Sequence, residues 1–248
     1  MQAIKLLSVL LAVVLLASCA PLPTEPTDGG VTTTAVTEAV TEEPGIAVEG
    51  KTAGVVLDYF AEIAFGSEYG DSSGRLCRWT DTVIYKVTGD PTEDDLELVA
   101  YLCEKLNGIE GFPGIKEAGA FATPNFEIMF VPRETIVEEF DHATETCVGM
   151  SEYSWTTDTY EIIGARAAID SAATEERNST ICEEFLQAMG LTMDSYSHRD
   201  SVFYQGKCVY NRPSELDFAL VQVLYHPSLQ CGMTKKEALA SAVDILEW

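Results

Sequence analysis

The run from Cys182 to Ser195 concentrates the side chains best able to do chemistry. Glu183 and Gln187 are four apart, so on a helix they share a face, and Glu184 lies beside Gln187. Such spacing aims two side chains at one point, where a metal ion could sit, with a neighbouring glutamate placed to deprotonate bound water. Gly190 suits the left-handed position that ends a helix and would turn the chain back, bringing Met193 and Asp194 with it. The donors are wrong for zinc. The Glu183 carboxylate could bind it, but the neutral amide of Gln187 is a poor ligand and the thioether of Met193 suits soft copper better. No cofactor is expected. Glu184 is the candidate catalytic residue; Glu183, Gln187, Asp194 and Tyr204 are the candidate cleft residues.

A structural reading competes with this one. In it Thr180 caps the helix with Glu183 as reciprocal partner, Glu184 is a solvated first-turn acid kept ionised by the helix dipole, and Met193 packs. The histidines are His142, His198 and His226; only His198 is close to the run in sequence, and it has no partner at ligand spacing. Glu183 and Glu184 point about 100° apart on a helix, so Glu184 with Asp194 is the better two-carboxylate candidate. Gly66, Gly70 and Gly74 lack the lysine of a phosphate loop, and Asn178-Ser179-Thr180 reads as capping chemistry rather than a glycosylation site.

The elements that must carry these residues can be read from periodicity. Val55, Val56, Tyr59, Phe60 and Ile63 form a helical stripe ending near Gly66. Thr82 to Val87 reads as a strand, and 95–106 as a helix opened by Pro91 and Thr92. Phe126 to Val131 is a second strand, stopped by Pro132. Ile162 to Ile169 is a third, with Ile163, Ala165, Ala167 and Ile169 alternating on one side. After the Cys182 run, Leu216 to Tyr225 and Lys235 to Trp248 read as closing helices. The order predicts an α+β (α/β mixed) domain with a small mixed sheet and C-terminal helices.

The chain has 248 residues, with 40 acidic and 15 basic side chains and a net charge of −25. So acidic a surface argues against nucleic acid and against charge-driven binding to anionic lipid. Residues 1–18 carry one lysine and an apolar run from Val9 to Ala17, a secretory signal too short to span a membrane. The run ends Leu16-Ala17-Ser18-Cys19, the pattern of a lipidation site at Cys19. The expected location is therefore exported, anchored by lipid on the outer face of the cell membrane or in the outer membrane. Residues 19–50 hold seven threonines and four prolines and no aromatic residue, a tether that cannot offset its own ordering entropy. Residues 51–248 form one globular domain.

Six cysteines remain: Cys77, Cys103, Cys147, Cys182, Cys208 and Cys231. An even number in an exported chain suggests three disulfides. Sequence cannot choose the connectivity; consecutive pairing gives Cys77 with Cys103, Cys147 with Cys182 and Cys208 with Cys231.

The Cys182 run resembles the metzincin metallopeptidase pattern H-E-x-x-H-x-x-G-x-x-H. Glu183, Gln187 and Met193 stand at the three histidine positions, Glu184 at the glutamate and Gly190 at the glycine. Ser201-Val202-Phe203-Tyr204 occupies the place of the methionine turn, and Asp217 with Leu224-Tyr225 matches the closing helix. The chain is still more similar to a bacterial secreted lipoprotein family, domain of unknown function 2927. The similarity lies in Ile63-Ala64-Phe65-Gly66-Ser67-Glu68, Arg78-Trp79, Glu183 to Leu191, Asp194-Ser195, Ser201-Val202-Phe203, Leu224-Tyr225-His226-Pro227 and Gly232-Met233. That resemblance implies a degenerate metzincin-like domain and a location, not an activity.

The expected function is a non-catalytic binding or scaffold role for a pseudopeptidase cleft. The partner would be an envelope protein or a peptide, and the membrane would be reached through Cys19. The alternatives are an atypical hydrolase or peptidase using Glu184, and an acidic interaction protein with no functional cleft.

Overall fold

Crossover helices dictate most of this architecture, because parallel neighbours cannot be joined by tight turns. The computed structural model describes residues 45–66, 73–206, 208 and 210–246. The expected signal segment, Cys19 and the tether up to residue 44 lie outside the described residues, as does Ser67-Glu68. The folded unit takes in the end of the tether. Ile46 bridges to Leu246, its N–H donates to Ile245 O at 2.8 Å, and Val48 is buried.

In chain order the elements are α1 (Ala53–Ile63), β1 (Arg78–Trp79), β2 (Val83–Gly89), α2 (Glu93–Asn107), β3 (Ile115–Glu117), β4 (Phe126–Val131) and α3 (Arg133–Glu139). Then come β5 (Gly149–Trp155), β6 (Glu161–Asp170), α4 (Arg177–Gln187), α5 (Glu215–Tyr225), α6 (Lys235–Ala242) and a 3-10 turn, Val243–Ile245. The strands form one six-stranded sheet, β3-β2-β4-β6-β5, with β1 on the first two residues of β6. Every pair is parallel except β5 with β6, which is antiparallel, and β5 forms an edge of the sheet. The mixed α/β fold agrees with the reading of the sequence. Among the described residues no helix is long and apolar enough to cross a membrane.

The pleat divides the side chains of the sheet. Phe126, Ile128 and Phe130 on β4 pair with Ala165, Ala167 and Ile169 on β6, and all are buried in the main core. Ile181 and Phe185 of α4 belong to the same core, with the Phe126 and Phe185 ring centroids 5.4 Å apart. On the other face Met129, Ala168 and Met150 pack on Ile136 and Phe140 at α3. Ile163 departs from the expected alternation. The β5–β6 register shifts at Ser154/Trp155, so Ile162 is buried and Ile163 is 57% exposed. The extra residue of a bulge points out of the ladder and inverts the pattern for one position.

Candidate functional site

Arg177 fixes where the site helix begins. Its guanidinium donates to both Asp95 carboxylate oxygens, at 2.8 and 2.7 Å, and to the carbonyls of Asp170 and Ser171 at 2.9 and 3.0 Å. Asp95 is also the reciprocal partner in the capping box of Thr92. One bidentate pair thus binds the start of α2, the end of β6 and the start of α4. Burial pushes the Asp95 carboxyl up, but the bonds from Arg177 and Thr92 outweigh it and hold it below the usual carboxylate range.

This start overturns two sequence expectations. The N-cap is Glu176, with no side-chain cap bond, and Thr180 is buried inside the helix. Glu183 and Glu184 therefore lie about two turns in, not in the first turn. Glu184 is not a solvated acid: it is 7% exposed. A capping box is visible in sequence, whereas an anchor made by Asp95, 82 residues away, is not.

The far end of α4 is held as firmly. Trp79 Nε1 donates to Ala188 O at 3.0 Å and Tyr225 OH donates to Met189 O at 2.9 Å, satisfying carbonyls that a helix end leaves open. Gly190 has φ +110°, and a Cβ there would sit 2.4 Å from Cys77 O. The chain reverses as predicted. Met193 donates its N–H to Ile63 O at 3.2 Å, and its side chain lies where a Cβ on Gly66 would be, so Met193 packs. Asp194 then arrives beside α4.

The candidate residues meet here. Gln187 Nε2 donates to Asp194 Oδ1 at 2.8 Å, and Gln187 Oε1 accepts from Ser151 Oγ on β5 at 2.8 Å. Glu183 and Asp194 are neighbouring carboxyls on the cleft wall, each raising the other's demand for a proton or a donor. Burial, then the charges of Asp194 and Glu184, drive Glu183 well above the usual range. Burial raises Asp194 too, opposed by the bonds from Glu183 and Gln187. The carboxyl partner of Asp194 is thus Glu183 rather than Glu184. Glu184 turns to β5, where Gly149 makes room: a Cβ there would meet Thr180 Cγ2 at 2.3 Å and Glu184 Oε1 at 2.7 Å.

Tyr204 joins through the backbone. Ser195 N–H donates to Phe203 O at 2.8 Å and Gln205 N–H donates to Ser195 O at 2.9 Å, a bridge that ties the Tyr204 turn to the Asp194 segment. Phe203 is fully buried beneath. Asp217 on α5 accepts from Ser201 Oγ, from Val202 N–H at 3.2 Å and from Ser214 N–H at 2.7 Å; Tyr59 OH donates to Ser201 Oγ at 2.8 Å. His198 packs on Tyr59, with ring centroids 4.4 Å apart, and lies 4.0 Å from Asp200.

Glu183, Glu184, Gln187, Asp194 and Tyr204 all line one cleft of about 1540 Å³ that runs past the β5 edge. Ser151 is the member that sequence reasoning missed; a lone serine in a polar strand carries no signal of its partner. The six described cysteines are free thiols. Consecutive pairing is not formed: Cys208 Sγ lies 3.6 Å from Ser201 O, and Cys231 Sγ lies 3.6 Å from Arg78 O. Among the other cysteines, Cys208 is the one that acts on the Cys182 thiol, and Cys231 the one that acts on Cys77. Folding, not sequence order, decides which thiols are near.

Compared with known families, residues 54–243 match the model described as protein of unknown function (DUF2927). No curated protein matches the chain.

Proposed function

We propose, for a chain that belongs to the DUF2927 family of proteins of unknown function, that this cleft is a non-catalytic binding cleft of metzincin-like ancestry. It would be carried on an exported protein anchored by lipid at Cys19. The observation that carries the reading is the double commitment of Gln187, bonded at one end to Ser151 and at the other to Asp194. Zinc does not fit this donor set. The amide is used at both ends, Met193 is turned into the core contact with Gly66, and Asp194 is held by Gln187. Glu184 has no activated water to work on without that ion. The antiparallel edge strand beside α4, and the buried Phe203 and Asp217 at the places of the methionine turn and the closing helix, support the metzincin-like ancestry.

The ligand class follows from the wall. Among the described residues β5 is paired with β6 alone, so its other edge can take an extended peptide by main-chain hydrogen bonding. Glu127, Asp141 and Glu176 line the same cleft as the site carboxyls, whereas Arg166 on that wall is paired with Glu152 at 2.6 Å, so a basic peptide fits better than an acidic one. The test is binding of immobilised extended peptides, basic and acidic, to the purified chain, alongside chromatography of the products. Saturable binding of basic peptides without cleavage supports the reading. Turnover that Glu184→Gln abolishes would replace it with the hydrolase alternative.

A further inference from the structure

We infer that Cys77 and Cys231 are disulfide partners, a cross-strand staple that fixes the turn before α6 to the start of β1. The staple is independent of what the cleft binds. Backbone register carries it. Arg75 and Thr234 form an antiparallel bridge, Leu76 N–H donates to Met233 O at 2.9 Å, and Gly232 N–H donates to Leu76 O at 2.9 Å. Gly232 and Met233 thus both oppose the single residue Leu76, and Gly232 has φ +80°. This is a bulge led by a left-handed glycine. One residue further along each chain, Cys231 falls opposite Cys77. Opposed residues of an antiparallel pair project to the same side. Their Cα atoms lie about 4.5–5.5 Å apart, within the span of about 4.4–6.8 Å that a disulfide bridges.

The sulfurs lie on this ladder. Cys231 Sγ is 3.6 Å from the carbonyl of Arg78, the residue after Cys77. Cys77 Sγ is 3.7 Å from Arg75 O and 3.3 Å from Ser73 Oγ, and rotation about its first side-chain bond turns it from these contacts toward Cys231. Both segments are pinned around the pair. Arg75 Nη1 donates to Gly232 O at 3.2 Å, and Arg78 Nη1 donates to Leu224 O and His226 O at 2.9 and 3.1 Å. Cys77 is 2% exposed, whereas Cys231 is half-buried and borders a small cavity with Arg75 and Glu237. Cys231 is therefore the thiol that meets an oxidant first, a low-molecular-weight disulfide. Its thiolate attacks one sulfur of that reagent and expels one reagent thiolate. The Cys77 thiolate then attacks the mixed disulfide at Cys231 and expels the second. The two protein thiols lose two electrons to the reagent disulfide, and their two protons end on the two reagent thiols. The new bond closes a loop that carries β1 to α5, the site helix included.

Peptide mapping of the folded full chain tests this. Burial pushes both thiols up, so the chain is equilibrated with oxidised glutathione at about pH 8.5. Remaining thiols are alkylated, and the unreduced digest is read by mass spectrometry. The dominant cross-link should join the Cys77 and Cys231 peptides, and the oxidised chain should melt about 5–10 °C above the reduced one. Cys231→Ser should lose that gain. Should Cys231→Ser fail to fold, the parent chain decides, by its linked peptide and by its melting before and after reduction. Recovery of Cys77 and Cys231 alkylated, as glutathione adducts or joined to other cysteines overturns the staple. So does a linked chain that melts with the reduced one, or a gain that Cys231→Ser retains.

Discussion

Ser151 on the edge strand and Gln187 on the site helix are joined by a 2.8 Å hydrogen bond, the hydroxyl donating to the amide oxygen. It ties β5 directly to the last turn of α4. It settles the amide's orientation, since the other end donates to Asp194. Replacing Gln187 with alanine removes both bonds and leaves Asp194 short of a donor. The expected loss is about 1–3 kcal/mol of stability. Ser151→Ala should cost less, about 1 kcal/mol. Urea denaturation of the two variants checks the order.

The Arg177–Asp95 pair should matter more. Both side chains are almost fully enclosed, at 10% and 1% exposure. Removing one partner strands a buried charge, which costs about 3–5 kcal/mol. Arg177→Met is therefore expected to destabilise the fold by that amount, while the double change with Asp95→Asn recovers part of it. A double-mutant cycle reads the difference.

Acid should act through Asp95. Its folded value is lowered, so its contribution is present above the ordinary carboxylate value and is lost as pH falls through the lowered one. Glu183 and Asp194 act in the opposite direction. Their folded values are raised, so their contribution is complete below the ordinary carboxylate value and is lost as pH rises through the raised one. Asp217 is raised in the same sense by burial. Melting temperatures from acid to mildly alkaline pH should fall on the alkaline side, and Glu183→Gln should flatten that limb.

Gly149 gives a sharper steric test. A Cβ there meets Thr180 and Glu184, both on a helix packed against the strand. Gly149→Ala is expected to cost about 1–3 kcal/mol by overpacking. At Gly66 the three atoms nearest an added Cβ all belong to the Met193 side chain, so truncating Met193 as well should relieve Gly66→Ala. Thermal unfolding of the single and double variants separates the two cases.

The sequence reached the elements whose burial follows one rule. Phe126–Val131 has the predicted bounds, and the helices at α1, α2 and α5 lie within two residues of their stripes. β5 was missed because Gly149-Met150-Ser151-Glu152-Tyr153-Ser154-Trp155 is polar and half exposed, as suits an edge lining a cleft. α3 escaped because seven residues after Pro132 give too little periodicity. At the site, the candidate residues share one cleft, but their pairing was not legible. The partners of Asp194 depend on the turn at Gly190, and those of Gln187 on a strand that the pattern did not reveal.

The central claim is that a hydrogen-bonded network, not a metal ion, organises Glu183, Gln187 and Asp194. Elemental analysis of the chain after equilibration with excess zinc and desalting, with a peptide-cleavage assay on the same sample, tests it most directly. The account predicts well under about 0.1 zinc per chain and no chelator-sensitive cleavage. About one zinc per chain, with cleavage abolished by chelator and by Glu184→Gln, would contradict it.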